Sequence, residues 1–362
     1  MNLNRLGWEA QFAQQFEEIN TDHYCLPARV IYAQRQLYGV VSERGQFQAQ
    51  VSGRFRYQAA SVADFPTTGD WVGIRVNRED ATDQNAAIIH FTLPRKTWLS
   101  RKAPGEKIEE QLICANIDRA FLVSGLDRDF NLRRIERYLS SIWEGGAEPV
   151  IVLNKVDLCH DLEAKMLDIG TVSFDLPVIC TNALTGVGLE QLDEYLAEDK
   201  TVAFIGSSGV GKSTLINQLL GRKAQVTREL RSDGKGRHTT AHRELFLIPG
   251  KGMVIDNPGM RELQLWAHEE RVGDTFAEIE YLAEQCRFSD CRHLSEPGCA
   301  VLREVVAGNL DPKRLSSYLK QKQELEHLSR TESLTSKGRY NLRRQESRRW
   351  EKAIQHNFKD RY

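Results

Sequence analysis

The residues with the clearest chemistry run from Gly206 to Ser213. Gly206-Ser207-Ser208-Gly209-Val210-Gly211-Lys212-Ser213 has the G-x-x-x-x-G-K-S spacing of a phosphate-binding loop. In such a loop the backbone N–H groups turn inward around phosphate oxygens, Lys212 reaches the terminal phosphates, and Ser213 ligates Mg²⁺, with Thr214 following at the positive end of a helix. Asn154-Lys155-Val156-Asp157 supplies a base pocket. A carboxylate at Asp157 accepts both the ring N–H and the exocyclic amine of guanine, a donor pair that adenine lacks. Asn154 is placed to bridge base and phosphate loop, and the Lys155 stem to lie over the ring. Thr181-Asn182-Ala183 is the expected backbone turn at the guanine oxygen.

Asp256-Asn257-Pro258-Gly259 fits a D-x-x-G element, in which Asp256 holds Mg²⁺ through water and the Gly259 amide contacts the γ-phosphate. Between this element and the phosphate loop, Gly236-Arg237-His238-Thr239-Thr240 supplies a threonine for Mg²⁺, with Thr240 preferred over Thr239. Gly234, Lys235, Gly236 and Arg237 suit a segment that orders around the γ-phosphate. Met260 stands where related enzymes carry the glutamine that orients the attacking water. Unaided hydrolysis is therefore expected to be slow, and His238 is the internal candidate for handling the water.

A second chemical centre lies further on. Cys286, Cys291, His293 and Cys299 bring three thiols and one imidazole into fourteen residues. Four such ligands, with none to spare, predict a closed tetrahedral and structural Zn²⁺ site that contributes to folding. The remaining cysteines, Cys25, Cys114, Cys159 and Cys180, are scattered, so no disulfide framework is expected.

These groups need elements to position them. Val202, Ala203, Phe204 and Ile205 predict a buried strand before the phosphate loop, and Leu215, Ile216, Leu219 and Leu220 a helix after it. Ile117 to Leu126, Pro149 to Asn154, Pro177 to Thr181, Glu244 to Gly250 and Gly252 to Asp256 give further strands, and Asn131 caps a helix that Gly145 and Gly146 close. The alternation implies a parallel α/β sheet with ligands at the strands' carboxyl ends. From Ala28 to about Pro94 the period is two, which predicts an OB-like barrel of about five strands. Arg54, Arg56, Tyr57 and Trp71 are its candidates for nucleic-acid contact, the alternative being a purely structural barrel whose aromatics are core. A leading helix is expected over 3–20 and a linker with a polar helical portion over 95–116. The expected organisation is a multidomain chain: 1–27 an extension, 28–100 the barrel, 101–265 the nucleotide domain, 266–330 a mainly helical zinc domain, and 331–362 a basic tail.

In Ras-type enzymes the phosphate loop precedes the base motif. Here Asn154–Asp157 and Thr181–Ala183 come first, so the domain reads as a circularly permuted GTPase. Permutation keeps the site because all its loops remain at one edge of the same sheet.

Over 362 residues, 41% hydrophobic content supports packed cores. No apolar run is long enough to span a bilayer, so a cytoplasmic protein without membrane contact is expected. The net charge of −1 conceals a division: residues 28–102 carry 11 basic against 6 acidic side chains, 103–311 carry 23 against 34, and 312–362 carry 14 against 6. Two basic lobes flanking an acidic middle suit a phosphate polyanion gripped at both ends.

With GSSGVGKS, NKVD, GRHTT, DNPG and CRFSDCRHLSEPGC in that order behind a small barrel, the chain resembles the ribosome small-subunit-dependent GTPase A family over roughly residues 28–320. Asn116-Ile117-Asp118 and the DRDFNLRRIERYL segment are also similar to that family. The resemblance implies GTP hydrolysis to GDP and phosphate stimulated by the small ribosomal subunit, a part in late maturation of that subunit, contact with its 16S rRNA, and use of the switch histidine, here His238. A monomer is expected. Asn182 stands where a serine is common in the family, and Asn257 where serine or threonine is usual. A nucleic-acid-binding module with a non-hydrolysing GTP site is the alternative, and an ATP-dependent kinase is poorly served by Asp157.

Overall fold

The computed structural model describes residues 2–21, 23–34, 37–76, 85–102, 110–173, 175–221, 243–257 and 276–331, with backbone alone at 102 and over 324–331. The chain divides into two compact units, Met1–Arg101 with Glu110–Gln264, and Leu265–Tyr362 with Lys102–Glu109.

The alternating stretch from Leu26 forms β1 (Leu26–Gln34), β2 (Leu37–Ser42), β3 (Gly45–Val51), β4 (Trp71–Val76) and β5 (Ala86–Thr92). Pairing runs β1–β2–β3–β5–β4 and returns to β1, with β3 and β5 parallel and the other pairs antiparallel. The five strands thus close into the OB-like barrel that the period-two pattern predicts. Val30, Val40, Phe47, Ile74 and Ile89 fill its interior.

Two local expectations change here. The run from Gly45 to Gln58 is not one strand: β3 stops at Val51 and α2 (Gly53–Gln58) begins, because the Ser52 hydroxyl accepts the Phe55 N–H at 3.1 Å and caps a helix. Arg54, Arg56 and Tyr57 are therefore exposed on a helix rather than on a strand. Trp71, offered as a stacking surface, is fully buried, its ring 4.6 Å from that of Trp8 and covered by the Arg29 guanidinium. The leading segment does this covering. A 3₁₀ turn over Leu3–Leu6 ends at Gly7 in the left-handed region, and α1 (Ala10–Ile19) follows, laying Phe12 and Phe16 onto the same cluster. Truncation of Trp71 to Ala is expected to cost roughly 3–5 kcal/mol, measured as a fall in the denaturant midpoint; an unchanged midpoint would contradict this packing.

The expected linker over 95–116 contains β6 (Trp98–Lys102) and β7 (Glu110–Ala115) as a two-stranded sheet. The apolar run Leu112 to Ala115 is buried, and that burial favours strand over the polar helix suggested by its neighbours.

The α/β part is built from β8 (Arg119–Gly125), β9 (Glu148–Asn154), β10 (Val178–Thr181), β11 (Thr201–Ile205), β12 (Glu244–Leu247) and β13 (Met253–Asp256) in the order β10-β9-β8-β11-β13-β12. All neighbours are parallel except β12 with β13, and among the described residues the pair Tyr32 with Glu244 joins this sheet to β1 of the barrel. Successive strand residues enter opposite cores: Leu122 and Ile151 face Leu139 and Ile142 of α3 (Leu132–Glu144), with Ile169 and Val172 of α4 (Leu162–Ser173) in the same cluster, while Phe121 and Val150 share a cluster with Leu215 and Ile216 of α5 (Lys212–Leu220). Asn116, at φ 53°, ties the edges together: its side chain donates to Gly69 O at 3.2 Å and accepts the Lys96 N–H at 2.9 Å, and its carbonyl accepts from buried Arg29.

The second unit is helical where described, with Ala277–Ala283, Ala300–Val306 and Pro312–Thr331. Phe276, Ile279, Val301, Leu315, Tyr318 and Leu319 form its core. No described helix is long and apolar enough to cross a membrane.

Candidate functional site

β11 delivers the phosphate loop and α5 receives it. Gly206 has φ 144° and Gly211 φ 104°, and a Cβ on them would meet Val123 O at 2.1 Å and Asn154 Nδ2 at 2.2 Å, so only glycine fits either position. Lys212 is buried, and its ammonium donates to Gly206 O at 2.7 Å and Ser207 O at 2.6 Å. Burial lowers its pKa below the ordinary lysine value. Ser208, Gly209 and Ser213 are exposed, Thr214 is half-buried, and Val210 is packed into the core.

Asn154 ends β9 and is 2% exposed. Its amide donates to Val210 O at 2.8 Å, and its carbonyl oxygen accepts from the Thr181 hydroxyl at 3.1 Å and the Ala183 N–H at 3.0 Å. One side chain therefore fixes the phosphate loop, the base motif and the Thr181–Ala183 turn relative to one another. Asn182 turns its own side-chain oxygen onto the N–H groups of Leu184 and Thr185, at 2.9 and 3.2 Å, which rigidifies the turn. Asp157 stands exposed beyond Lys155.

Lys155, in the left-handed region at φ 65°, sends its ammonium to Asp127 Oδ2 at 2.6 Å. Asp127 was not found from the sequence, although its place two residues beyond the carboxyl end of β8 is where ligand sites of such sheets gather. The hydrogen bond from Lys155 is the main reason its carboxyl lies below the usual carboxylate range. The ion pair is thus complete at neutral pH and is lost only as pH falls through that depressed value. Replacement of Asp127 by Asn is expected to weaken GTP binding about tenfold by releasing Lys155, read by nucleotide titration at neutral pH; undiminished affinity would contradict it.

Asp256 ends β13 in a buried position. Burial raises its pKa, offset by the Lys212 charge and by a hydrogen bond from Ser213. Its Oδ1 is buried without a hydrogen-bond partner among the described residues. An acidic oxygen held free beside a hydroxyl is what a hard cation such as Mg²⁺ requires, so the residues fit the ion. Asn257 is fully buried and donates weakly to Phe204 O at 3.5 Å. His238, Thr239, Thr240, Gly259, Met260 and the basic tail from 332 onward lie outside the described residues.

In the second unit Cys286, Cys291, His293 and Cys299 bring one donor atom each to within 4.8 Å of one another. His293 Nδ1 lies 3.6 Å from Cys286 Sγ and 3.4 Å from Cys299 Sγ. Burial lowers the His293 pKa, which keeps the imidazole neutral as a ligand must be. Cys299 also caps the helix Ala300–Val306, its sulfur accepting the Leu302 N–H at 3.4 Å. Glu296, not singled out from sequence, accepts from the backbone of Arg292, Leu294 and Ser295 at 3.2, 2.9 and 3.0 Å and holds the loop between the ligands. The four residues can hold a metal ion.

Phosphate loop, base motif and Asp256 gather at the carboxyl edge of one largely parallel sheet, with the base motif first in the chain: the protein is a circularly permuted GTPase carrying a barrel and a Cys₃His unit. A family model described as RsgA GTPase matches residues 92–266. A protein of Opitutus terrae called small ribosomal subunit biogenesis GTPase RsgA is 44% identical over 361 residues, covering 98% of this chain and 96% of its own. One of Lactiplantibacillus plantarum, called small ribosomal subunit biogenesis GTPase RsgA 2, is 46% identical over 328 residues, covering 90% and 91%. The chain belongs to the RsgA GTPase family and is a GTP hydrolase. Among solved structures it resembles YjeQ from Thermotoga maritima, with 28% identity, 83% of this chain and 98% of that one covered and a TM-score of 0.60. It also resembles YloQ, described as a circularly permuted GTPase, at 25% identity, 85% and 97% coverage and a TM-score of 0.58.

Proposed function

We propose that this GTPase acts in the late biogenesis of the small (30S) ribosomal subunit, binding the subunit through its 16S rRNA as a cytoplasmic monomer, with GTP turnover accelerated by the bound subunit. The names of the relatives support the partner. The observation that carries the nucleotide reading is the Asn154 triad of hydrogen bonds, which holds the base turn and phosphate loop as one rigid site.

In this reading Asp157 and the Thr181–Ala183 turn select guanine, and Gly206 to Thr214 wrap the phosphates. Lys212 leaves the Gly206 and Ser207 carbonyls for the terminal phosphates, and the Gly259 amide meets the γ-phosphate. Ser213, Asp256 and Thr240 would hold Mg²⁺, which neutralises phosphate charge when bound. His238 positions the attacking water in place of the glutamine that Met260 lacks. Cys286, Cys291, His293 and Cys299 hold Zn²⁺ as a structural staple. The exposed Arg54, Arg56 and Tyr57 offer charge and a π-face to RNA.

Sedimentation with purified subunits in GTP, GDP and a non-hydrolysable analogue tests the partner: co-sedimentation with the small and not the large subunit is expected, and equal or absent binding overturns the proposal. A His238→Ala enzyme is expected to keep its GTP affinity and lose roughly 10²-fold or more of its subunit-stimulated turnover, whereas unchanged turnover would remove His238 from the mechanism.

A further inference from the structure

Ser207, the second residue of the phosphate loop, carries two cations. Lys212 Nζ reaches its carbonyl at 2.6 Å, and Arg134 Nη1, from the first turn of α3, reaches its hydroxyl at 2.5 Å. The same guanidinium nitrogen pairs with Asp129 Oδ1 at 2.5 Å. The backbone beneath Arg134 is fixed, since the Asn131 side chain accepts its N–H at 3.1 Å and begins the helix there. Asp129 acts electrostatically on Lys212 as well, which puts the Asp129–Arg134 pair at the phosphate end of the site and not at the base.

The two cations differ in freedom. Lys212 is buried, whereas the Arg134 and Asp129 side chains keep 38% and 34% of their exposure. An ion pair this exposed contributes little, so it yields easily to a stronger anion. A triphosphate brings several negative charges beside Ser207, and an arginine fork matches phosphate oxygens better than it matches one carboxylate. With methionine at 260, the site also lacks one of the usual polar groups at the reacting phosphate.

We propose that Arg134 is a second phosphate-directed cation supplied by the chain itself, which leaves Asp129 and Ser207 for the terminal phosphate of bound GTP and stabilises phosphoryl transfer. In that step the water oxygen bonds to the γ-phosphorus while the bond to the bridging oxygen breaks. The electron pair leaves with GDP, and the water's proton ends on inorganic phosphate. Arg134 adds no atom and takes no proton; its fixed charge balances the oxygens along the way. The inference rests on the proposed phosphate-loop site.

The test uses the full chain with Arg134→Gln, which keeps a stem and a hydrogen-bond donor for Ser207 but no charge, and Arg134→Lys, which restores a charge. Single-turnover phosphate release from GTP with Mg²⁺, GDP affinity and thermal midpoint are read on each. Turnover in the Gln variant is expected to fall on the order of 10³-fold, with GDP affinity and thermal midpoint kept and the Lys variant standing between Gln and parent. Parent-like turnover in Arg134→Gln overturns the inference. So does a joint loss of turnover and GDP affinity with Lys no better than Gln, because a mere tether between α3 and the loop behaves that way. If the parent itself releases no phosphate, the site reading fails first and the inference with it.

Discussion

An Asp157→Asn variant binds GTP roughly 10⁴-fold more weakly than the parent, the scale at which a hydrogen-bonding pocket rejects a mismatched group. The carboxylate accepts from two guanine donors at once. An amide offers one acceptor and one donor, so its N–H₂ meets the guanine amine and a pairing is replaced by a clash of donors. The same amide suits xanthine, whose exocyclic oxygen accepts where guanine donates. Xanthosine triphosphate is therefore expected to gain affinity in the variant as GTP loses it. Among the described residues neither neighbour compensates, because Asn154 is engaged by Val210, Thr181 and Ala183 and Lys155 by Asp127. Fluorescent-nucleotide titration measures both affinities. Equal GTP affinity in variant and parent would contradict the base pocket.

Removal of metal from the Cys₃His cluster is the second large effect. Among the described residues the unit's core is a small set of side chains around Phe276 and Tyr318, to which the loop from 286 to 299 contributes little apolar surface. A structural Zn²⁺ site supplies about 10–16 kcal/mol of apparent binding free energy at neutral pH, most of it available to folding. Such a contribution exceeds what a core of this size provides alone. A strong chelator, or Cys291→Ser, is therefore expected to abolish protection of the Ala300–Val306 helix in hydrogen exchange. The purified parent is expected to contain one equivalent of zinc by elemental analysis. A chelated protein with parent-like protection would show that the four residues pack without a metal.

The site's linear motifs were legible because each depends on short-range spacing. Gly206 to Ser213 and Asn154 to Asp157 are contiguous, and the sheet that carries them repeats one strand–helix pattern. The four metal-cluster residues were readable for the same reason, spanning fourteen positions. What escaped was set by tertiary contact. Asp127, Asp129 and Arg134 look like ordinary surface charges in sequence, and only the fold brings Asp127 to Lys155 of the base motif and Arg134, paired locally with Asp129, to Ser207 of the phosphate loop. Trp71 shows the opposite error: an aromatic beside basic residues suggested a stacking face, but the leading segment covers it with Trp8 and Phe12. The polar flank of Leu112 to Ala115 suggests a helix, whereas the burial of this apolar run makes it a strand.

In the proposed function the nucleotide site is incomplete by itself and is completed by the small subunit. Phosphate release from GTP by the full chain, measured alone, with purified small subunits and with purified large subunits, tests this most directly. Slow release alone, strong acceleration by small subunits and none by large ones is the predicted result. Release that is equally fast in all three mixtures, or absent in all three while GTP is bound, would contradict it.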